Sequence, residues 1–182
     1  MKNPWKTISS RYVHENPSWK IRRDAVVRPD GKPGEYFVLD SRSSAQVIAL
    51  DQHQNVLLVR QFRYTTATSG WELPCGGLNE GEAPTAAAKR ELLEETGIRA
   101  KIWKKLGTLQ AANGMSNALM HVFLATGLKH FAQNDQAAEG IVEMKFFSAS
   151  EIISMICTSK ITDSQTLAGL LLYIALETKA RN

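Results

Sequence analysis

Residues 76–98 read GGLNEGEAPTAAAKRELLEETGI, and this stretch decides the fold. From Pro84 to Thr96 it is dense in strong helix formers, with Pro84 where the first turn tolerates a missing N–H and Gly97 where a left-handed cap belongs. On such a helix Glu91, Glu94 and Glu95 project from one side, because spacings of three and four return to the same face. Like charges one turn apart cost a helix about 0.2–0.5 kcal/mol, and one turn earlier the same face offers Ala87 rather than a lysine. Something outside the helix is expected to neutralise them. It is either a hard divalent cation, which takes oxygen ligands and bridges carboxylates to phosphates, or distant basic side chains around a solvated face.

The rest of the chain sets the frame. At 182 residues and 43% hydrophobic, the sequence fits one globular domain, or one domain with a small appendage. That balance excludes collagen-like, low-complexity and disordered classes. The longest apolar run, Leu167 to Leu176, contains Gly169 and is too short to cross a hydrocarbon layer of roughly 30 Å. The opening MKNPWKTISSRYV has no apolar core of an export signal, so the expected compartment is the cytoplasm. Cys75 and Cys157 stand far apart and form no CxxC pair, which excludes a disulfide framework or a cysteine zinc site. His14, His53, His121 and His130 have no metal-ligand spacing. Of the eighteen acidic residues, Glu80, Glu82, Glu91, Glu94 and Glu95 crowd around Lys89 and Arg90, and the remaining chain is basic. An acidic cluster in a basic frame is what metal-assisted chemistry on a polyanion needs.

Around the helix, Trp19 to Val27 and Glu35 to Leu39 read as extended pieces joined by a turn-rich Arg28–Gly34. Gln46 to Leu50 and Val56 to Arg60, flanking Asp51–Asn55, are expected to form a second hairpin. Strand-like runs resume at Ile102–Leu109, Ala118–Ala125 and Ile141–Phe147. Two helices close the chain, near Ser150–Ile156 and over Asp163–Thr178, where Thr162 and Gln165 have capping-box spacing. Strands on both sides of a central helix, followed by a terminal helix, point to an α/β sandwich.

Gly76, five residues, Glu82, seven residues and then Arg90-Glu91-Leu92-Leu93-Glu94-Glu95-Thr96-Gly97-Ile98 satisfy the whole box Gx5Ex7REUxEExGU, where U is apolar. Chance would match a given window on the order of 10⁻⁹ at ordinary residue frequencies. The sequence resembles the Nudix hydrolase superfamily, whose members cleave a nucleoside diphosphate linked to another moiety with Mg²⁺ or Mn²⁺. Gln61-Phe62-Arg63-Tyr64 and Trp71-Glu72-Leu73-Pro74-Cys75-Gly76-Gly77 are similar to segments of its ADP-ribose and nucleoside diphosphate sugar pyrophosphatases. The resemblance implies an α/β/α sandwich with a mixed central sheet over residues 45–182. It also implies a strand-rich arm over residues 1–44 through which homodimers form.

The resemblance further implies metal held by Glu91, Glu94, Glu95 and the Cys75 main-chain carbonyl, with Glu94 and Glu95 counted as catalytic. Gly76, Glu82, Arg90 and Gly97 shape the box, with Arg90 pairing with Glu82. Arg63 and Glu72 are the expected substrate contacts. Trp19 is a candidate ring for the base, with Tyr36 and Phe37 beside it. The water-activating carboxylate is expected from a downstream loop, at Glu139, with Glu143 as the alternative. ADP-ribose pyrophosphatases commonly carry a proline shortly after the box, whereas this chain has none beyond Pro84. The expected substrates are therefore broader: nucleoside diphosphate sugars that include ADP-ribose and ADP- or GDP-linked hexoses. The competing readings are a nucleotide-sugar sensor without turnover, and a hydrolase of capped RNA or dinucleotide polyphosphates. No arginine-rich tract supports nucleic acid as a partner.

Overall fold

The computed structural model describes residues 2–131 and 140–181, and the chain divides into two compact units. The first comprises residues 1–43 with 110–119, and the second residues 44–109 with 120–182.

The first unit is an antiparallel sheet in the order β1 (Lys6–Glu15), β2 (Trp19–Val27), β3 (Pro33–Ser41). The β2–β3 turn forms where Pro29-Asp30-Gly31 demanded it: Gly31 has φ 81° and its N–H donates to the Arg28 carbonyl at 2.9 Å. β1 is not foreseen as a separate strand, because all ten of its residues are exposed and no burial pattern marks it. Main-chain pairing to β2 from Lys6↔Val27 to Glu15↔Lys20 defines it instead. Residues 110–119 join this unit through the Tyr36 hydroxyl, which donates to the Gly114 carbonyl (3.0 Å), and Asn117, which donates to Asp40 (2.7 Å).

In the second unit, β4 (Ser44–Ala49) lies in the mixed sheet β7-β4-β9-β8, parallel to β9 (Leu119–His130) and antiparallel to β7 (Cys75–Gly77), with β8 spanning Ile98–Gln110. β5 (Val56–Arg63), β6 (Thr68–Glu72) and β10 (Ile141–Phe147) form a second sheet in the order β10-β5-β6. Strand alternation gives β4 two buried faces. Ala45, Val47 and Ala49 pack with Ala87, Ala88 and Leu92 of α1 (Pro84–Thr96). Ile48 packs with Leu170 of α3 (Ser164–Arg181) and with Ile152 and Met155 of α2 (Ala149–Cys157). The result is the expected α/β/α arrangement around a mixed sheet.

Two local expectations need correction. The hairpin over Gln46–Arg60 survives only as its turn. Asp51 Oδ1 accepts from the His53 and Asn55 amides at 2.8 Å, and one bridge joins Leu50 to Val56. Beyond it the strands part, β4 to β7 and β9, β5 to β6 and β10. Both strands are buried on two faces, so an apolar run alone could not select their partners. The cap of α3 also shifts by one residue. Asp163 Oδ2, rather than the Thr162 hydroxyl, accepts from the Thr166 amide at 2.7 Å. A reciprocal capping box occurs instead on α2, between Ser148 and Glu151.

α1 ends as its sequence requires. Gly97 has φ 67° and its N–H donates to the Leu93 carbonyl at 2.8 Å. Gly97→Ala is expected to cost about 1–2 kcal/mol, the penalty for an L side chain in that conformation, read as a lowered urea midpoint with an unchanged slope.

Candidate functional site

Helix α1 carries Arg90, Glu91, Glu94 and Glu95, and the loop before it carries Glu82. Buried alanines and Leu92 seat one side of α1 on β4, which fixes where its acidic face points. Arg90 gathers the charges. Its Nε and Nη2 donate to the two oxygens of Glu82 at 3.0 and 2.8 Å, its Nη1 to Glu91 at 2.6 Å and to Glu94 at 2.9 Å, and its Nη2 also to the Gly77 carbonyl at 2.9 Å. Part of the neutralisation expected from outside the helix therefore comes from the helix itself. A planar guanidinium can serve several acceptors at once, which an ammonium cannot do in fixed geometry. This bonding holds Glu82 down to about pKa 2, with a further contribution from the Asn79 amide, and raises Arg90.

The two inner glutamates are buried against the loop after β6. Glu91 is 8% and Glu95 4% exposed. Glu95 accepts from the Cys75 amide at 3.1 Å, and a side chain at position 76 would occupy the space of the Glu91 carboxylate, so only glycine fits there. Cys75 itself is a poor thiolate, since burial and then the charge of Glu95 push its thiol up to about 12. Among the described residues no three carboxylate, imidazole or thiol groups converge as a ready-made cage. The donors on hand are hard oxygens, the set that suits an ion keeping several waters and shared with substrate phosphates.

Cys75, Gly76 and Gly77 also form one side of a cleft of about 590 Å³. Its other walls are Arg63, Thr65, Thr66, Thr68 and Glu72 from β5, β6 and their connection, together with Thr162–Gln165 at the start of α3. Arg63 and Glu72 meet there as a pair, Nη2 to Oε2 2.5 Å and Nε to Oε1 3.1 Å, with Glu72 buried and Arg63 half exposed. The pairing with Glu72 raises Arg63 and keeps it cationic. Glu143 is exposed on β10 with its carboxylate 3.7 Å from Arg60, and it does not line the cleft. Trp19 stands on β2 in the first unit, its ring 5.1 Å from that of His14. Glu139 lies outside the described residues. Sequence reasoning passed over Thr65, Thr66 and Thr68 in the lining, because scattered threonines have no spacing signal, and read Thr162 only as a helix cap. It also passed over Gln46, a single amide within an apolar strand.

Residues 40–167 match the NUDIX domain, and residues 5–39 match the nucleoside diphosphate sugar hydrolase N-terminal domain. An ADP-ribose pyrophosphatase of Mycobacterium tuberculosis is 33% identical over 96% of this chain and 85% of its own length. A GDP-mannose pyrophosphatase of Citrobacter koseri is 30% identical over 71% of this chain and 72% of its own. A crystal structure described as an ADP compounds hydrolase has the same fold, with a TM-score of 0.85 at 16% identity, covering 98% of this chain and 97% of that one. The chain belongs to the Nudix hydrolase family. Members of this family generally use divalent metal ions.

The Glu82–Arg90 pair has a pH signature. A carboxylate whose folded pKa lies near 2, below its ordinary 4.5, contributes stability that is present above about 4.5 and lost as pH falls toward 2. Denaturation midpoints of the wild type and Glu82→Gln are expected to differ by a constant amount near neutrality, and to converge across that window.

Proposed function

We propose that this enzyme hydrolyses the pyrophosphate bond of nucleoside diphosphate sugars, taking ADP-ribose to AMP and ribose 5-phosphate and accepting ADP- or GDP-linked hexoses. The observation that carries this reading is the junction at Gly76, where the Glu91 carboxylate fills the space of the missing side chain, Glu95 takes the Cys75 amide, and a polar cleft opens alongside. The names of the pyrophosphatase relatives support the substrate class.

Glu91, Glu94, Glu95 and the Cys75 main-chain carbonyl would hold Mg²⁺ or Mn²⁺, which when bound neutralises the diphosphate and acidifies a coordinated water. Arg90 holds Glu91 and Glu94 in one orientation through a single Nη1. Glu94 is the most exposed of the three, its side chain 39% accessible, so it can reach an ion shared with a substrate phosphate. Arg63, cationic on the cleft wall, positions phosphate or ribose, and Glu72 keeps its guanidinium plane fixed. Glu139 takes the proton from the attacking water.

Two copies associate through the arm at residues 1–44. β1 is the outer strand of its sheet, an unprotected edge of the kind that pairs with another chain. Ile8, Tyr12 and Val13 on it are exposed. Among the described residues no helix is long and apolar enough to cross a membrane. Both cysteines are free, as suits the cytoplasm.

Nucleoside diphosphate sugars, nucleoside triphosphates, capped RNA and dinucleotide polyphosphates assayed with and without Mg²⁺ should give turnover on the first group alone, and only with metal. Preferential cleavage of any other group refutes the assignment. Glu94→Gln and Glu95→Gln are each expected to lower kcat about 10²–10³-fold with little change in KM; a variant that retains near-normal turnover removes that glutamate from catalysis. Light scattering should return twice the 20.2 kDa chain mass, and a monomer at assay concentrations would exclude the arm's role in association.

A further inference from the structure

Asp163, at the start of α3, belongs to the wall of the cleft beside Gly76, together with Thr162, Ser164 and Gln165. Its Oδ2 is engaged by the helix, accepting from the Thr166 amide at 2.7 Å. Thr166 is fully buried, and its hydroxyl accepts in turn from the Leu73 amide at 3.0 Å. These hydrogen bonds fix the carboxylate relative to the segment that carries Glu72 and Cys75. Oδ1 meets no donor among the described residues. It is not sealed in either, because among the described residues the buried side-chain polar atoms that lack a partner belong to Gln46 alone. Asp163 is partly buried, so its Oδ1 stands open to solvent on the cleft wall.

Capping α3 does not require this charge, since Asn and Ser cap as well as Asp. A carboxylate is unfavourable beside a phosphate, yet this one shares a cleft with Arg63 and the Cys75–Gly77 main chain. Its charge is felt at Arg63, which Glu72 foremost, and Glu95 and Asp163 behind it, hold cationic. Phosphates therefore belong on the Arg63 side, and the Asp163 side suits an uncharged part of the same substrate that is rich in donors. We infer that Asp163 Oδ1 is a specificity-determining contact, accepting hydroxyls of the sugar that the diphosphate carries; the inference rests on the function proposed above. An ionised carboxylate oxygen only accepts, and a sugar edge presents O–H donors without charge. Thr68, Thr162 and Ser164 line the same cleft with hydroxyls that can give and accept. A base is the poorer match, because among the described lining residues no aromatic ring offers a stacking face.

The test is Asp163→Asn, which keeps a cap of equal rank and exchanges the charge for a neutral amide. KM for ADP-ribose is expected to rise about tenfold, the difference between a charged and a neutral hydrogen bond. kcat should stay within about twofold, the melting temperature should hold, and the inhibition constant of ADP, which lacks the second sugar, should not rise. With Mg²⁺ present, ribose 5-phosphate should raise the melting temperature of the wild type more than inorganic phosphate does, and the variant should lose that excess; this readout needs no turnover. Unchanged KM in an active variant, or ribose 5-phosphate no better than phosphate on the wild type, overturns the inference. Equal weakening of ADP and ADP-ribose overturns it by assigning the carboxylate to the nucleotide, and a collapse of kcat at constant KM overturns it by making Asp163 a proton acceptor. A wild type that binds ribose 5-phosphate through Asp163 yet hydrolyses no nucleoside diphosphate sugar sinks the proposed reaction and leaves the sugar contact standing. Should the Asn variant misfold, Asp163→Ser, which also retains a capping oxygen, decides on the same readings.

Discussion

Arg90 stands where four acceptors meet: the Glu82, Glu91 and Glu94 carboxylates and the Gly77 carbonyl. A helix with three glutamates on one side is unfavourable by itself, and so is a loop that must deliver a main chain to that side. One guanidinium addresses both, because its planar fork can pair with Glu82 on one edge while its Nη1 reaches along the helix. The loop from Gly77 to Glu82 is thereby tied to α1, and α1 is tied to β4 by Ala87, Ala88 and Leu92. Without the cation, the acidic residues would repel one another and turn outward to water.

From that anchor the geometry propagates to the cleft. Gly76 can sit against Glu91 only because it has no side chain, and Cys75 donates its amide to Glu95. β7, which holds both residues, is three residues long and is kept in place by pairing with Ser44, Ala45 and Gln46 of β4. β4 is therefore shared by two tasks. Its odd positions pack against the carboxylate-bearing helix α1, while its even positions face α3 and Gln46 is among the residues lining the cleft.

Much of this was legible beforehand, and unevenly so. The α1 helix and its glycine cap follow from spacing within a few turns, where periodicity and propensity act locally, and the Arg90–Glu82 pair was what the resemblance implied. The contact of Arg90 with Glu91 did not follow from spacing, since i and i+1 neighbours on a helix do not face each other and only a long side chain folded back can reach; its pair with Glu94 is an ordinary i,i+4 contact that the spacing offered and the reading overlooked. β1 was missed because main-chain pairing, rather than side-chain burial, makes it a strand. The α3 cap moved by one residue because Thr162 and Asp163 are both competent caps, and the path of the incoming chain chose between them.

The order of residues alone determined the helix that bears the carboxylates, the ends of that helix, the glycine beside it and the family to which the chain belongs. Each of these depends on groups within one or two turns of each other, and a linear pattern records such distances directly. Only the tertiary structure decided that β4 and β5 part company into different sheets, that Arg63 pairs with Glu72 on the cleft wall, and that Gln46 meets Gly169 across β4 and α3. Those contacts join residues far apart in the chain. They are selected by which buried faces fit together, a choice that hydrophobic alternation permits in several ways and packing resolves in one.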